Sequence, residues 1–208
     1  MYEYKVEIDG VTYGMSELVS CSLQQVMLDA FAVGNACSAE LEVTLLMDSV
    51  PQGMLEVKPY VKRTTASSND WHRLGTFYVD TVEYTNGLTR LTCYDGMLKA
   101  DEQFFQGGDT GEWPRTQAAV AQQIAQRIGL PLDSRTQLST TYEVPYPNED
   151  TMRTILGNIA ASHGGNWIVT ADSKLLLVPL FSSMPTETSL LVTEDGDYIS
   201  LGGVRLLV

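Results

Sequence analysis

The hydrophobic period of this 208-residue chain changes near its middle, and that change limits the fold more than any other feature. Between Ser38 and Leu45 the side chains alternate: Ala39, Leu41, Val43 and Leu45 face one way, and Glu40, Glu42 and Thr44 face the other. A period of two is typical of a half-buried β-strand. After Thr116 the period becomes 3.6, which is typical of an amphipathic helix. The pattern therefore predicts an α+β chain with the β region first.

The first hundred residues contain several strand patterns separated by tight turns. Asp9-Gly10 and Asn86-Gly87 both favour hairpins, because these residue types tolerate positive φ angles. Pro59 has no amide proton and places its strand at an edge or a bulge. Five or six strands with such turns predict a small barrel or sandwich. The predicted strands are Tyr4–Ile8, Cys21–Leu28, Ser38–Leu45, Leu55–Lys62, Phe77–Tyr84 and Leu88–Tyr94.

Two helices are predicted in the second half of the chain. Thr116 caps the first helix, and Gly129 ends it. The second helix is expected to begin near Asn148, with Glu149 and Asp150 in its first turn, where the helix dipole favours anions. The apolar stripes are Val120, Ala121, Ile124, Ala125 and Ile128, and then Met152, Ile155, Leu156, Ile159 and Ala160. Strands are expected again over Asn166–Thr170 and Lys174–Leu180.

The charge balance excludes several classes of function. The chain has 26 acidic and 13 basic side chains and a formal net charge of −13. No patch of Lys and Arg is present to neutralise phosphates, so we expect no specific nucleic-acid binding. The longest apolar stretch, Leu175–Leu180, is far shorter than the roughly 20 residues that cross a bilayer, so we expect no membrane insertion. The alternating residues at the start of the chain also predict no secretory signal.

The residues that usually perform catalysis or bind metals are few and widely spaced. Cys21, Cys37 and Cys93 are predicted to be reduced core thiols, which indicates synthesis in a cytoplasm. His72 and His163 are predicted to be structural, with His163 at a helix C-terminus, where a cation complements the dipole. No pair of Cys or His has the spacing of a zinc site, and no phosphate loop is present. We therefore expect no catalytic residues, no metal, no cofactor and no enzyme activity.

Four segments resemble the tail-hub proteins of bacteriophages. They are FAVGNACSAELEV (Phe31–Val43), WHRLGTFYVD (Trp71–Asp80), LTCYDGM (Leu91–Met97) and the helix-to-strand passage Ile155–Trp167. Their order agrees with the β–α–β pattern above, and the resemblance extends over roughly residues 5–180.

The resemblance implies a baseplate-hub subunit, encoded by a prophage of a Gram-positive host. Hubs of this family are homotrimers in which each subunit carries two tube-like β-barrels, and the resulting ring joins the tail tube to the tail tip. The implied partners are further copies of the chain, the tail tube, the distal tail ring and the tape measure protein. The implied location is the virion tail, assembled in the bacterial cytoplasm.

The resemblance also implies a division of the chain into three parts. Residues 1–100 would form a tube-like antiparallel β-barrel, residues 101–195 an α/β insert with two amphipathic helices and antiparallel strands, and residues 196–208 the start of a further, truncated β domain. The apolar segment Val204–Val208 agrees with this division, because an unpaired apolar strand invites aggregation. We therefore expect a fragment of a longer hub polypeptide.

Five side chains are candidates for this role. Glu40 and Glu42 would line the lumen, where acidic groups repel DNA phosphates, with an ordinary solvent-facing strand as the alternative. Phe31, Phe104 and Phe105 would contact neighbouring subunits, with local core closure as the alternative.

Two other functions agree with the same sequence. The chain could be a receptor- or carbohydrate-binding tail-tip module, or the non-catalytic N-terminal part of a tail-associated cell-wall hydrolase. The predicted core is Leu41, Val43, Phe77, Val79, Leu91, Ile124, Ile128, Ile155, Ile159 and Trp167.

Overall fold

The computed structural model has a mixed α/β fold with mostly antiparallel strands and two α-helices in its described part. It describes residues 2–25, 32–47, 53–64, 70–105 and 111–180, and the backbone of 200–201 and 204–205. In chain order the elements are β1 (Tyr2–Ile8), β2 (Val11–Tyr13), β3 (Leu18–Gln24), β4 (Asn35–Ala36), β5 (Glu40–Leu46), β6 (Glu56–Arg63), β7 (His72–Arg73), β8 (Phe77–Thr85), β9 (Leu88–Asp95), a 3₁₀ helix (Gly96–Asp101), β10 (Arg115–Thr116), α1 (Gln117–Ile128), β11 (Glu143–Val144), α2 (Met152–Ser162), β12 (Gly165–Val169), β13 (Leu175–Pro179), β14 (Ser200–Leu201) and β15 (Val204–Arg205).

The first layer is an antiparallel sheet in the order β2-β1-β6-β8-β9-β5-β3, with β7 paired beside β6. Its buried face is formed by Val6, Ile8, Ala39, Leu41, Val43, Leu45, Val57, Phe77, Val79, Leu91 and Cys93. Side chains of the sheet itself and of its flanking turns pack together over this face. The described ladders leave β2 and β3 unpaired with each other. The closed barrel therefore stays a prediction.

Pro59 lies within β6 at the point where that strand changes partner. On one side it faces Val6 of β1. On the other side β6 pairs with β8 at Glu56 and Val57 and with β7 only from Tyr60 onward. The carbonyl of Pro59 accepts a hydrogen bond from the amide of Leu74 at 2.9 Å, so the missing amide proton faces this gap between two ladders. The sequence predicted that Pro59 lies at an edge or a bulge. At Pro59 itself β6 lacks a ladder partner on one side, as predicted, although β6 as a whole is an inner strand of the sheet.

The second layer packs both helices against a three-stranded sheet in the order β13-β12-β4. β12 and β13 are antiparallel, whereas β4 runs parallel to β12 and comes from the N-terminal third of the chain. Its core contains Ala36, Met97, Ala100, Phe104, Val120, Ala121, Ile124, Ala125, Ile128, Leu130, Met152, Ile155, Leu156, Ile159, Ala160, Trp167, Leu175 and Leu177.

Helix α1 begins and ends as predicted, whereas α2 begins later. The Thr116 hydroxyl accepts a hydrogen bond from the Ala119 amide, and Gly129 ends α1 with a left-handed φ of 71°. The cap of α2 is Thr151, so the predicted start near Asn148 is wrong. Asn148 has a φ of 48°, which a right-handed helix does not allow, and the Asp150 amide closes a turn onto the carbonyl of Pro147 at 2.9 Å.

The predicted core is confirmed, since each of its ten residues is at most 4% exposed. The thiols of Cys37 and Cys93 are buried and free, as expected. Cys21 is free but exposed, because β3 is an edge strand with little cover. The prediction of a core thiol at Cys21 is therefore wrong.

The C-terminal strands β14 and β15 pair with each other in antiparallel register. The predicted division at residues 100 and 195 stays a prediction. No helix in the described part of the chain is long and apolar enough to cross a bilayer.

Candidate functional site

Glu40 and Glu42 lie on the side of β5 that faces away from the buried core. Glu40 faces Tyr94 of β9, and Glu42 faces Thr92 of the same strand. The residues opposite them on β3 are Gln24 and Ser22, in the same order. We call this polar surface of β3, β5, β9 and β8 the outer strand face. The alternation of β5 therefore has the predicted orientation, with acidic side chains among polar neighbours.

The outer strand face has an acidic balance. Arg90 Nη2 donates to Glu42 Oε1 at 2.8 Å, and Glu83 of β8 lies opposite Arg90. The hydrogen bond to Glu42 raises the pKa of Arg90. Burial, together with the charge of Glu40, raises the pKa of the Tyr94 hydroxyl. Among the described residues this face carries the carboxylates of Glu40, Glu42 and Glu83 against Arg90, with the Lys99 ammonium over the Tyr78 ring at one end. The remaining negative charge makes the face unfavourable for phosphate groups.

The three predicted interface phenylalanines lie in different environments. Phe31 lies outside the described residues. Phe104 is fully buried in the second layer, so the alternative of core closure describes its position. Phe105 is half-buried and stacks on Tyr146, with ring centroids 4.7 Å apart. Of these residues, Phe105 is the one that offers described surface to another molecule.

Arg153 of α2 binds the two segments that lead from the second layer into β5 and out of β9, and sequence reasoning missed it. Its Nη1 donates to the carbonyl oxygen of Ala36 at 2.6 Å, and its Nη2 donates to the carbonyl oxygen of Met97 at 3.0 Å. Both nitrogens also reach Ser38 Oγ at 3.1 Å. Asp101 receives the guanidinium on both carboxylate oxygens. No local pattern marks this residue, because its partners lie 52 to 117 positions away.

The turn formed by Gly34 and Asn35, which lies in the segment Phe31–Val43 discussed above, contacts β12. The Gly34 amide donates to the carbonyl of Gly165 at 2.9 Å. The Asn166 side chain accepts from the Asn35 amide at 2.9 Å and donates to the carbonyl of Ala32 at 2.9 Å. These bonds extend the second sheet with β4, so the turn has a structural function in fixing this N-terminal strand to the second layer.

Asp95 is a buried carboxyl at the same junction. Oδ2 accepts from the Ala39 amide at 2.7 Å, and Oδ1 accepts from the Met97 amide at 2.9 Å. Burial raises the pKa of Asp95 to about 6, against the opposing effect of these two hydrogen bonds and of the Arg153 charge. The side chain thus fixes the start of the 3₁₀ helix and carries a proton more readily than an exposed aspartate.

The histidines and acidic groups have ordinary structural surroundings. His163 Nε2 lies 3.0 Å from Gln117 Oε1, and burial lowers the pKa of the ring. The expected cation at the end of α2 is therefore disfavoured. In residues 2–25, 32–47, 53–64, 70–105 and 111–180, no group of three or more Cys, His, Asp or Glu side chains is arranged to hold a metal ion.

Comparison with known proteins gives a fold relationship. No protein-family model matches the chain, and no curated protein sequence does. The 43 kDa tail protein of prophage MuSo2 from Shewanella oneidensis matches 92% of this chain with a TM-score of 0.59 and 14% sequence identity. The tail protein from Neisseria meningitidis MC58 matches 93% of it with a TM-score of 0.58 and 12% identity.

The chain thus has the fold of these two tail proteins over about nine-tenths of its length. It spans 59% of the Shewanella protein and 55% of the Neisseria protein.

Proposed function

We propose that this chain is a structural component of a phage or prophage tail. The observation that carries the proposal is the match of 92–93% of the chain to two tail proteins. A match over nine-tenths of the chain extends well beyond one common motif. A strand from the N-terminal third completes the second sheet in this arrangement.

Within a tail, the proposed position is the baseplate hub between tail tube and tail tip. An antiparallel sheet with one polar and one apolar side is a suitable wall element for a tube, because its polar side can line a lumen while its apolar side stays buried. The acidic outer strand face would repel DNA phosphates and let the genome pass, which supports a conduit. The proposed partners are further copies of the chain in a trimer, the tail tube, the distal tail ring and the tape measure protein.

The proposal assigns no turnover, cofactor or metal to this chain. Burial raises the pKa of the Cys37 thiol and raises that of Cys93 to about 12, which keeps both protonated and poorly nucleophilic. Gln117 holds His163 at the end of α2. These groups serve packing better than acid–base or nucleophilic chemistry.

Light scattering behind a sizing column, over a concentration series, tests the assembly. We expect a species near three times the chain mass of 22.9 kDa at the higher concentrations. A monomer at every concentration, both for this chain and for a version extended past Val208, would refute the trimer.

Two alternatives are separated by simple assays. Retention on host cells or glycans without self-association would favour a receptor- or carbohydrate-binding tail-tip module. Clearing of cell walls in a zymogram by the extended chain, but not by these 208 residues, would favour a wall hydrolase of which this chain is the non-catalytic part.

A further inference from the structure

A groove with an apolar floor runs between α2 and the segment 143–148. Its volume is about 330 Å³. The floor includes Ile155 and Ile159, which are 2% and 1% exposed, together with Val144 and Pro147. A cavity of this size with an apolar floor accepts one large apolar side chain.

A shallow depression continues the groove past Tyr146. It is lined by Phe105, Tyr146, Asn148, Glu149 and Asp150, and it shares three of these residues with the groove. The Tyr146 ring is 53% exposed and stacks on Phe105 at 4.7 Å with an interplanar angle of 21°. This stacking holds one face of Phe105 and fixes the orientation of an exposed ring beside two carboxylates.

The rim carries negative charge without a balancing cation. Among the described residues, Glu143, Glu149 and Asp150 line the two cavities, and no Lys, Arg or His does. None of these carboxylates forms an ion pair with the described part of the chain. Anionic ligands are therefore disfavoured, and a cationic group gains most from this site.

A guanidinium has the shape that this depression requires. It can lie flat on an aromatic ring while its edge donates hydrogen bonds to carboxylates. The chain places two of its own guanidinium groups over aromatic rings, that of Arg115 at 4.4 Å from the Trp113 ring centroid and that of Arg127 at 4.8 Å from the Phe104 centroid. Hydrogen bonds of these two groups go to uncharged oxygens of Glu112, Gln123 and Phe104, whereas the carboxylates beside Tyr146 would add a charge-assisted contact.

We propose that the groove binds an extended peptide segment of a partner protein, with an Arg stacked on Tyr146 beside Glu149 and Asp150 and a nearby apolar side chain over Ile155 and Ile159. Both charge complementarity and the adjacency of the two cavities support this occupant. The inference depends on the groove alone, so it stands or falls separately from the proposed tail role.

The test is an NMR titration of the full chain with short synthetic peptides. The probes are glycine-flanked, end-capped peptides with one Arg and one Leu separated by zero, one or two glycines. At least one spacing should give saturable shifts of the amide signals of Tyr146 and Asn158. Replacing the Arg of that peptide by Glu should abolish the shifts.

Variants of the chain make the test specific. Tyr146→Ala and Glu149→Gln should each weaken binding of the best peptide by about tenfold, as expected for loss of a stacking or charge-assisted contact. Tyr84→Ala, which removes a tyrosine of similar exposure (50%) on β8, should leave binding unchanged.

Three results would overturn the proposal. They are an absence of shifts for every peptide at millimolar concentration, equal binding of the Glu peptide, and shifts at the same residues from the neutral sugar chitotriose without any from the peptides. The last result would assign the groove to a saccharide.

Discussion

Gly34 and Gly157 bring α2 into direct contact with the chain that enters β4. A β-carbon at position 157 would lie 2.7 Å from the carbonyl oxygen of Gly34, and one at position 34 would lie 2.9 Å from the β-carbon of Ala161. Gly34 also has a φ of 85°, which favours glycine. This close approach allows β4 to pair with β12.

Gly157→Ala should destabilise the protein, although glycine is usually unfavourable within a helix. The new methyl group would meet a backbone oxygen, and relief by moving the helix would cost about 1–3 kcal/mol, more than the gain of about 1 kcal/mol in helix propensity. Urea unfolding measures the difference. Asn158→Ala at the next, exposed position is the control and should be neutral or stabilising. A stabilised Gly157→Ala variant would contradict the close contact.

Arg153→Ala should weaken the junction between the layers. It removes the charge-assisted bonds to Asp101 and leaves the carbonyls of Ala36 and Met97 without this donor, so we expect a loss of about 2–4 kcal/mol in unfolding free energy. Arg153→Lys should not restore the lost stability, because one ammonium group cannot reach all these acceptors.

Arg90→Ala is the matched control for the Arg153 experiment. It removes an arginine whose ion pair with Glu42 lies on the exposed outer strand face. We expect the urea midpoint to be unchanged within error. Equal losses of unfolding free energy for the two arginine variants would show that the contacts of Arg153 stabilise the protein no more than an exposed ion pair does.

Asp95 should make stability depend on pH between about 4 and 6. Its pKa is raised from 3.8 to about 6 by burial, so the folded state binds the proton more tightly than the unfolded state. The contribution of this group to stability therefore increases as pH falls through this window, by up to about 3 kcal/mol.

His163 contributes in the opposite direction, because its lowered pKa disfavours the charged ring in the folded state. The test is therefore the difference between the stability profiles of the native chain and of Asp95→Asn. The variant should lose the gain between pH 6 and pH 4. Parallel profiles would contradict the assignment.

Thiol labelling should distinguish the three cysteines. Burial raises the pKa of all three thiols, so access by the reagent decides their reactivity: Cys21 is exposed, whereas Cys37 and Cys93 are buried. A colorimetric disulfide reagent should react rapidly with one thiol per native chain and with all three after unfolding in urea. Cys21→Ser should remove the fast phase. Two or more fast thiols in the native protein would be incompatible with this packing.

Reversing the charge of the outer strand face should impair a DNA conduit. In the phage that encodes the chain, Glu40→Lys with Glu42→Lys should reduce plating efficiency at the stage of DNA ejection, since lysines would bind passing phosphates. Glu112→Lys with Asp172→Lys makes the same change in net charge on exposed residues of the second layer and should plate normally. Normal DNA ejection by the Glu40→Lys, Glu42→Lys variant would show that these glutamates do not line the lumen.

Local patterns predicted the parts of this fold whose causes are local. The period of two placed Leu41 and Val43 in the core, and the period of 3.6 did the same for Ile124 and Ile128. Thr116 and Gly129 marked the ends of α1, because capping depends on neighbouring residues. The start of α2 was misplaced, since Glu149 and Asp150 resemble a first helical turn while Asn148 adopts a left-handed turn.

The junction could not be predicted, because it joins distant residues. The contact of Arg153 with Ala36 spans 117 positions, and that of Asn166 with Asn35 spans 131. Phe104 resembled an exposed anchor because glycines and polar residues surround it in the sequence, yet it packs within the second layer. In each case the local sequence shows the type of side chain but not the distant residue that this side chain contacts in the fold.

The central claim is that this chain is part of a tail, at the hub between tube and tip. Cryo-electron microscopy of tails from the phage that encodes it, with peptide mass spectrometry of the same particles, tests it most directly. The account predicts peptides of this chain in the particles and threefold density that fits both layers where the tube meets the tip. Particles that lack the chain, or density for it elsewhere, would contradict the account.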